Sequence, residues 1–334
     1  DEWAAFEAVT NHPGEKILSN LTGSYVRDAY LQGLTLQDQG KPNPFNFGVI
    51  GSSDTHVGGG SYTEETHFSK IGLLDGEPYL RGSVPFDGIY SLIARLWQPD
   101  SILEIDEKNY LSFSPRLIRF GSSGLAGVWA EENTRESIYN AFRRKETFGT
   151  SGPRIKVRFF AGYNFENSNL NDQDLIQEAY SKNIPMGGDI IQEKGKNPRF
   201  LVWAISDPLG APLQRVQIIK GWLADGEQRE KVFDVACSDG QSVNPLNHRC
   251  PDNGAKVNLD DCSISREKGN AEIKTFWQDP EFSNDQEAFY YARVLENPTC
   301  RWSTWDAVRA EEKPRSDIPV TIQERAWSSP IWIK

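Results

Sequence analysis

From residue 153 onward, apolar side chains recur at every second position or form short apolar runs. This spacing predicts β-strands, because successive side chains of a strand point to opposite faces. Loop-forming residues separate the runs, and several short strands separated by loops are typical of a β-sandwich. The segments with this pattern are 154–159 (RIKVRF), 199–205 (RFLVWAI), 215–222 (RVQIIKGW), 288–295 (AFYYARVL) and 326–333 (AWSSPIWI). We therefore expect a β-sandwich domain over residues 151–334.

Residues 1–150 show a different pattern, in which helices and strands alternate. Ser24 is a candidate N-cap for a helix over 25–37, which the sequence KPNP ends because proline cannot continue a helix. Residues 45–50 then form a short apolar run that predicts a buried strand. A chain of 334 residues commonly has more than one domain, and this order of elements predicts an α/β domain.

The later part of this region divides into an irregular stretch and a regular one. Residues 57–124 are rich in Gly, Pro and Ser, with one short helix near 88–96, and long irregular insertions are usually functional. A strand at 125–130 and a helix over 135–148 (RESIYNAFRRKETF), capped by Thr134, follow. The sequence TSGP at 150–153 ends this pattern, so we place the domain boundary there.

The charge and the termini limit the partners of the chain. A formal net charge of −11 disfavours nucleic acid and anionic membranes, both of which are bound through basic patches. No apolar run approaches the roughly 20 residues of a membrane helix. The first residues lack the basic and apolar segments of a signal peptide. The chain does not begin with Met, so we expect a processed or truncated product.

Four cysteines lie in the last third of the sequence, and they are Cys237, Cys250, Cys262 and Cys300. An even number in one region favours two disulfides, whose pairing the sequence leaves open among three possibilities. A zinc site with four thiolates is the alternative, but such sites usually have two to four residues between neighbouring cysteines. Disulfides predict an oxidising compartment, and therefore a periplasmic or secreted protein.

The sequence GVIGSSDTH at 48–56 places an acid and an imidazole two residues apart, after the predicted strand. If Asp54 and His56 extend that strand, their side chains point to the same side. A carboxylate and an imidazole together are ligands suited to Zn, Mn or Fe. The alternative is that Asp54 is a turn residue and His56 a surface imidazole. A catalytic zinc site needs three protein ligands, so this pair alone is insufficient.

Two further residues are candidates for catalysis at the same site. His67 lies in the Gly-rich stretch near Glu64 and Glu65, although a solvated acidic loop is the simpler interpretation. Glu131 follows the strand at 125–130 and could act as a ligand or a base. The sequence lacks a G-x-S-x-G motif and a phosphate-binding Gly-rich loop, which argues against serine hydrolases and nucleotide-binding folds.

The motifs FGVIGSSDTH and GLAGVWAEENTRESIYNAFRRKETFGTSGPRI, with PMGGD, FLVWAISDP and TIQERAWSSPIW nearer the C-terminus, resemble a bacterial family of unknown function. That family is related to the PHP (polymerase and histidinol phosphatase) metallohydrolases and their carbaryl-hydrolase-type members. The resemblance covers nearly the whole chain. It implies a distorted (β/α)7 barrel that holds two or three divalent metals, with a D-x-H motif that corresponds to Asp54 and His56.

The chain departs from this pattern in one respect. PHP-type sites begin with an H-x-H motif, and no two histidines here are that close. We therefore expect residues 1–150 to be the C-terminal part of a PHP-like barrel, followed by the β-sandwich. The N-terminal half of the same precursor would be the partner that completes the metal centre.

Two functions compete on this basis. The first is a metal-dependent hydrolase of phosphoesters, carbamates or related esters and amides, which would act on a small-molecule substrate. Asp54 and His56 would bind the metal, and Glu131 or His67 would assist. The second is a non-catalytic module whose β-sandwich binds carbohydrate or protein through tryptophans. The candidate tryptophans are Trp203, Trp222, Trp302, Trp305, Trp327 and Trp332, and core packing is their alternative role.

Overall fold

The computed structural model describes residues 23, 25–97, 102–111, 118, 120–165, 168–284 and 286–334. The helices are α1 (Val26–Asp38), α2 (Pro78–Arg81), α3 (Ile89–Trp97), α4 (Arg135–Arg143), α5 (Leu175–Lys182) and α6 (Trp302–Arg309), with a 3₁₀ turn at Gly72–Leu74. The strands are β1 (Ile102–Ile105), β2 (Lys108–Leu111), β3 (Leu125–Val128), β4 (Thr147–Thr150), β5 (Lys156–Gly162), β6 (Ile184–Pro185), β7 (Asp189–Ile190), β8 (Arg199–Ile205), β9 (Leu213–Ala224), β10 (Glu227–Cys237), β11 (Glu272–Gln278), β12 (Ala288–Glu296), β13 (Thr299–Cys300), β14 (Thr321–Ile322), β15 (Arg325–Ser328) and β16 (Ile331–Ile333). The predicted cap Ser24 lies outside the described residues.

Two mainly antiparallel sheets face each other across the main core. The larger has the order β10–β9–β12–β15–β4–β3, with β16 beside β12 and β7 beside β16, and the smaller has the order β11–β8–β5–β6. Phe200 of the smaller sheet lies 4.7 Å from Tyr290 of the larger one, between ring centroids. Val216 and Ile218 of β9 are fully buried in the same core. Each of the five segments with a predicted strand pattern after residue 153 therefore lies in one or two strands of a two-layer β structure.

The barrel predicted for residues 1–150 is wrong. A (β/α) barrel needs parallel strands joined by crossover helices, in a sheet that closes on itself. Here α4 returns the chain beside the strand that it left, so β3 and β4 pair antiparallel, and β4 pairs antiparallel with β15. The larger sheet ends at β3 and at β10, and among the described residues neither sheet closes. Strands on both sides of residue 150 share this sheet, and the division into two domains stays a prediction.

The strand predicted at 45–50 is also wrong. The segment is held by isolated bonds rather than a ladder, since the Val49 nitrogen donates to Ser329 Oγ at 2.9 Å and the Gly124 nitrogen donates to the Ser52 carbonyl at 3.0 Å. Phe47 and Ile50 are exposed. The apolar run lies on the sheet without joining it.

The irregular stretch 57–124 contains α2, α3 and the antiparallel pair β1–β2. The helix predicted near 88–96 is confirmed as α3. A buried ion pair attaches the stretch to α6, because Arg81 donates from Nε and Nη2 to the two carboxylate oxygens of Asp306 at 2.7 and 2.6 Å. Ser83 Oγ donates to the same carboxylate at 2.5 Å.

The outer face of the larger sheet is partly covered by α1. Tyr30, Leu31 and Leu34 pack there against Ile219 and Phe289. The ring centroids of Tyr30 and Phe289 are 5.2 Å apart. This contact is a second, smaller core, and it covers one end of strands β9 and β12.

Candidate functional site

Three glycines allow the segment that carries Asp54 and His56 to cross β3 and β4. A Cβ on Gly51 would lie 2.4 Å from the Leu125 carbonyl oxygen, and one on Gly149 would lie 2.5 Å from the Gly51 nitrogen. A Cβ on Gly124 would lie 2.8 Å from the Ser52 carbonyl oxygen. These distances leave no room for a side chain, so the crossing requires glycine at all three positions.

Asp54 and His56 form an exposed turn beyond this crossing. Asp54 has a φ of +50°, a left-handed conformation that Asp adopts more readily than most residues. His56 Nδ1 lies 2.9 Å from the carbonyl oxygen of Asp54. A carbonyl oxygen only accepts, so Nδ1 carries the proton and donates. In the neutral ring the lone pair is then on Nε2, which is the arrangement found in many metal-binding histidines.

The donor set at this turn is incomplete for a metal centre. Two candidate ligands are present, whereas a catalytic zinc site takes three from protein. No group of three His, Cys, Asp or Glu side chains in the described part of the chain could hold a metal ion. The described residues therefore do not by themselves fit the Zn, Mn or Fe site that the sequence suggested.

His67 lies in a buried position rather than at this turn. Its ring stacks on Trp302, with centroids 4.6 Å apart, and its Nδ1 is buried without a hydrogen-bond partner among the described residues. Burial, followed by the positive charges of Arg81, Lys70 and Arg301, lowers its pKa to about 3, and Asp75 opposes this only weakly. His67 is therefore neutral at ordinary pH, and its predicted catalytic role stays a prediction.

Glu131 is exposed in the turn that precedes α4. Its carboxylate lies 3.8 Å from Arg144 Nη2, which is a surface ion pair. Thr134 caps α4, as predicted, by accepting a hydrogen bond from the Ser137 nitrogen at 3.2 Å. The proposed role of Glu131 as a ligand or base stays a prediction.

Glu64, three residues before the stacked histidine, is a buried acid with a clear structural role. Its carboxylate accepts from the Trp302 nitrogen at 2.6 Å and from the Ser122 nitrogen at 3.1 Å. Trp302 is the first residue of α6, so Glu64 satisfies an otherwise unpaired donor at a helix N-terminus. Glu64 thus links the irregular stretch to α6.

The four cysteines form two disulfides, as predicted, with the pairs Cys237–Cys250 and Cys262–Cys300. Disulfides are typical of proteins exported to an oxidising compartment. The first bridge joins the end of β10 to the loop that follows it. This brings Cys250 to the rim of a cavity on the outer face of the larger sheet.

That cavity has a volume of about 440 Å³ and a strongly basic lining. It lies at the end of the sheet that α1 leaves uncovered. The lining residues are Arg215, Gln217, Val232, Asp234, Arg249, Cys250, Arg293, Leu295, Gln323 and Arg325. Four of them are arginines and one is an acid, and the sequence did not predict that these residues converge.

A family model described as "Protein of unknown function (DUF3604)" matches residues 1–334. The chain belongs to this family. No curated protein and no solved structure matches it. Membership of the DUF3604 family therefore assigns no activity, and the function has to be argued from the residues.

One signal in this DUF3604 sequence points to the cavity. In β9 and β12 the apolar residues of the main core alternate with Arg215, Gln217 and Arg293. A charged residue in the middle of a buried strand requires a polar partner or a cavity on that face. Alternation by itself indicates a strand, and it does not show that the polar positions of different strands lie together.

The binding-module alternative depended on exposed tryptophans. All six candidates are buried or half-buried, and Trp302 and Trp332 are almost completely inaccessible. These six tryptophan side chains therefore pack inside the protein. In addition, none of the helices in the described ranges has the length and apolarity of a membrane span.

Proposed function

We propose that this chain is part of a metal-dependent hydrolase, related to the PHP metallohydrolases, that acts on a small phosphoester, carbamate or related ester or amide. The observation that carries the proposal is the hydrogen bond from His56 Nδ1 to the Asp54 carbonyl at 2.9 Å. It fixes the tautomer whose Nε2 can bind a cation, next to an exposed carboxylate. The D-x-H motif and its flanking sequence resemble those of that group.

The remaining ligands would come from polypeptide outside the described residues. The proposal requires them, because two ligands do not complete a site. In this proposal the N-terminal half of the same precursor is the partner. The two disulfides favour a periplasmic or secreted location for the assembly.

Metal analysis of the natural, full-length protein tests the proposal. The protein is stripped with a chelator, reloaded separately with Zn²⁺ and with Mn²⁺, and its bound metal is measured after desalting. Asp54→Asn and His56→Gln should each lower the metal-to-protein ratio severalfold, because each removes a ligand. Asp225→Asn is the matched control, since Asp225 is exposed and has a φ of +54°.

Unchanged metal content in both Asp54→Asn and His56→Gln would exclude these residues as ligands. A full-length protein that binds neither metal above the level of the chelated sample would exclude the hydrolase proposal itself. Equal loss in Asp225→Asn would show that the effect comes from surface charge rather than from the turn.

A further inference from the structure

A lysine occupies a position in the main core where the strand pattern predicts an apolar side chain. In β9 the residues Val216, Ile218 and Lys220 are two apart, so they share the face that packs against the smaller sheet. The two apolar side chains are 0 % exposed and the lysine is 2 % exposed. An ammonium group is costly to bury unless it is paired, so the chemistry of its partner decides what this lysine can do.

The partner of this lysine comes from the other sheet. Asp279 directly follows β11 of the smaller sheet, and it is 0 % exposed. Lys220 Nζ donates to Asp279 Oδ2 at 2.7 Å. The same nitrogen donates to the Glu281 carbonyl at 3.0 Å and lies 4.8 Å from the centre of the Trp222 ring. The pair therefore joins the two sheets through poorly solvated surroundings, with the amine held against the carboxyl group.

Each oxygen of the Asp279 carboxyl group also accepts a hydrogen bond from a further donor. Tyr290 lies directly opposite Lys220 in the pairing of β9 with β12, and its hydroxyl donates to Oδ2 at 2.7 Å. The Glu281 nitrogen donates to Oδ1 at 2.8 Å. Burial, and then the charge of Asp279, raises the pKa of Tyr290, so the phenol stays protonated and keeps donating. Donors in these positions stabilise the negative charge that develops when a carboxyl carbon is attacked.

We propose that Lys220 and Asp279 form an amide bond with each other, an isopeptide cross-link between the two sheets. A proton first passes from Nζ to Oδ2 along their hydrogen bond, and burial favours the resulting neutral pair because it penalises charges. The Nζ lone pair then attacks Cγ, and the negative charge forms on Oδ1 beside the Glu281 nitrogen. Tyr290 gives a second proton to Oδ2, which leaves as water, and regains one from Nζ. The ammonium thus supplies both protons of the water, and the reaction needs no further reactant.

The positions of the reacting atoms are suited to this step. Cγ is one bond away from Oδ2, so a small rotation of the carboxyl group brings Nζ to the roughly 3 to 3.5 Å at which such groups react. The buried pair Arg81–Asp306 cannot react in the same way, because a guanidinium is not deprotonated in proteins. The cross-link uses none of the residues proposed to bind metal, so it is independent of the hydrolase proposal.

Mass spectrometry of the reduced and denatured protein tests the cross-link. We expect the intact mass to be lower than that of the chain by one water. Trypsin should not cleave after Lys220, because its amine is part of an amide. The digest should instead contain the peptides 216–229 and 275–293 joined in one species, since trypsin cleaves after the residues that precede and end them. Lys220→Arg retains the charge but has no reactive amine, so its intact mass should show no loss of water.

The role of the phenol has its own comparison. Tyr290→Phe should slow the loss of water about tenfold or more in newly made protein sampled over time, because it removes the proton donor. Tyr291→Phe is the matched control, since the next ring of β12 lies in the second, smaller core. Equal rates in these two variants would exclude Tyr290 from the step.

Two results would overturn the cross-link itself. An intact mass without loss of water, together with cleavage after Lys220, would show an ordinary buried ion pair. A loss of water that persists in Lys220→Arg would place the dehydration elsewhere in the chain. The mass of the wild-type protein decides the question even if Lys220→Arg does not fold, as judged by circular dichroism.

Discussion

At the scale of single residues, His67 makes stability depend on pH. Its folded pKa of about 3 lies below the ordinary value of 6.5, so the unfolded chain binds the proton more tightly. The stabilising contribution is complete above pH 6.5 and is lost as the pH falls toward 3. Each pKa unit between the two states is worth about 1.4 kcal/mol, so the loss reaches several kcal/mol.

His67→Phe isolates this effect. A phenyl ring keeps the stacking on Trp302, and little bonding is lost because Nδ1 has no partner among the described residues. We expect the free energy of unfolding in urea to lie within about 1 kcal/mol of wild type at pH 7.5, and the variant to become the more stable protein by pH 4. His248→Phe, at a half-buried histidine edge-on to Phe233, is the matched control for the removal of an imidazole. Parallel profiles for His67→Phe and wild type would contradict the assignment.

The residues also show how far the sequence could predict a site. The adjacency of Asp54 and His56 follows from their spacing, and the structure keeps them together on one turn. The burial of His67 depends on α6, more than two hundred residues later, and no local pattern contains that contact. The cavity arginines come from three strands and from the loop after β10, so their convergence depends on sheet register, which periodicity does not determine.

At the scale of elements, α4 is the helix whose signals were most complete. Thr134 accepts from the Ser137 nitrogen at 3.2 Å, and Ser137 Oγ accepts in turn from the Glu132 nitrogen at 3.1 Å. Thr134→Ala should lower the free energy of unfolding by about 1 kcal/mol, because it leaves an N-terminal donor unpaired. Thr134→Ser retains the accepting oxygen and should stay close to wild type. Urea denaturation measures both, and equal loss in the two variants would show that the methyl group matters rather than the cap.

The two elements whose structure was predicted wrongly share a physical reason. The apolar run at 45–50 suggested a strand, but close contacts at Gly51 and Gly149 place the segment across the sheet rather than along its edge. The helix predicted after Thr134 extended too far, because β4 begins at Thr147 and pairs on both sides, with β3 and with β15. In both places long-range pairing overrides a local propensity.

At the scale of the whole molecule, the alternation and the short apolar runs after residue 153 predict two facing sheets, but not that β3 and β4, from before that point, belong to the larger one. The barrel was implied by resemblance, and strand direction is what overturned it. The spacing of apolar residues does not show whether neighbouring strands run parallel or antiparallel, since both can carry the same apolar run. The sequence pattern also does not predict how the irregular stretch 57–124 is attached to α6. The attachment depends on the buried pair Arg81–Asp306, whose members are 225 residues apart.

The ion pair Arg81–Asp306 leads to a prediction about the stability of the whole molecule. Arg81 Nη1 also donates to the carbonyls of Phe68, Asp75 and Gly76, so the guanidinium holds the stretch together as well as holding it to α6. Asp306→Asn leaves a buried cation uncompensated and should lower the free energy of unfolding by about 3 kcal/mol, whereas Lys182→Met, which breaks an exposed pair with Glu178, should leave it close to wild type. Limited proteolysis read by mass spectrometry should place the new cleavages of Asp306→Asn within residues 57–97 before the sheets are cut, because the sheets have their own core. Cleavage that begins in the sheets, or a loss no greater than that of Lys182→Met, would show that the ion pair does not hold the stretch in place.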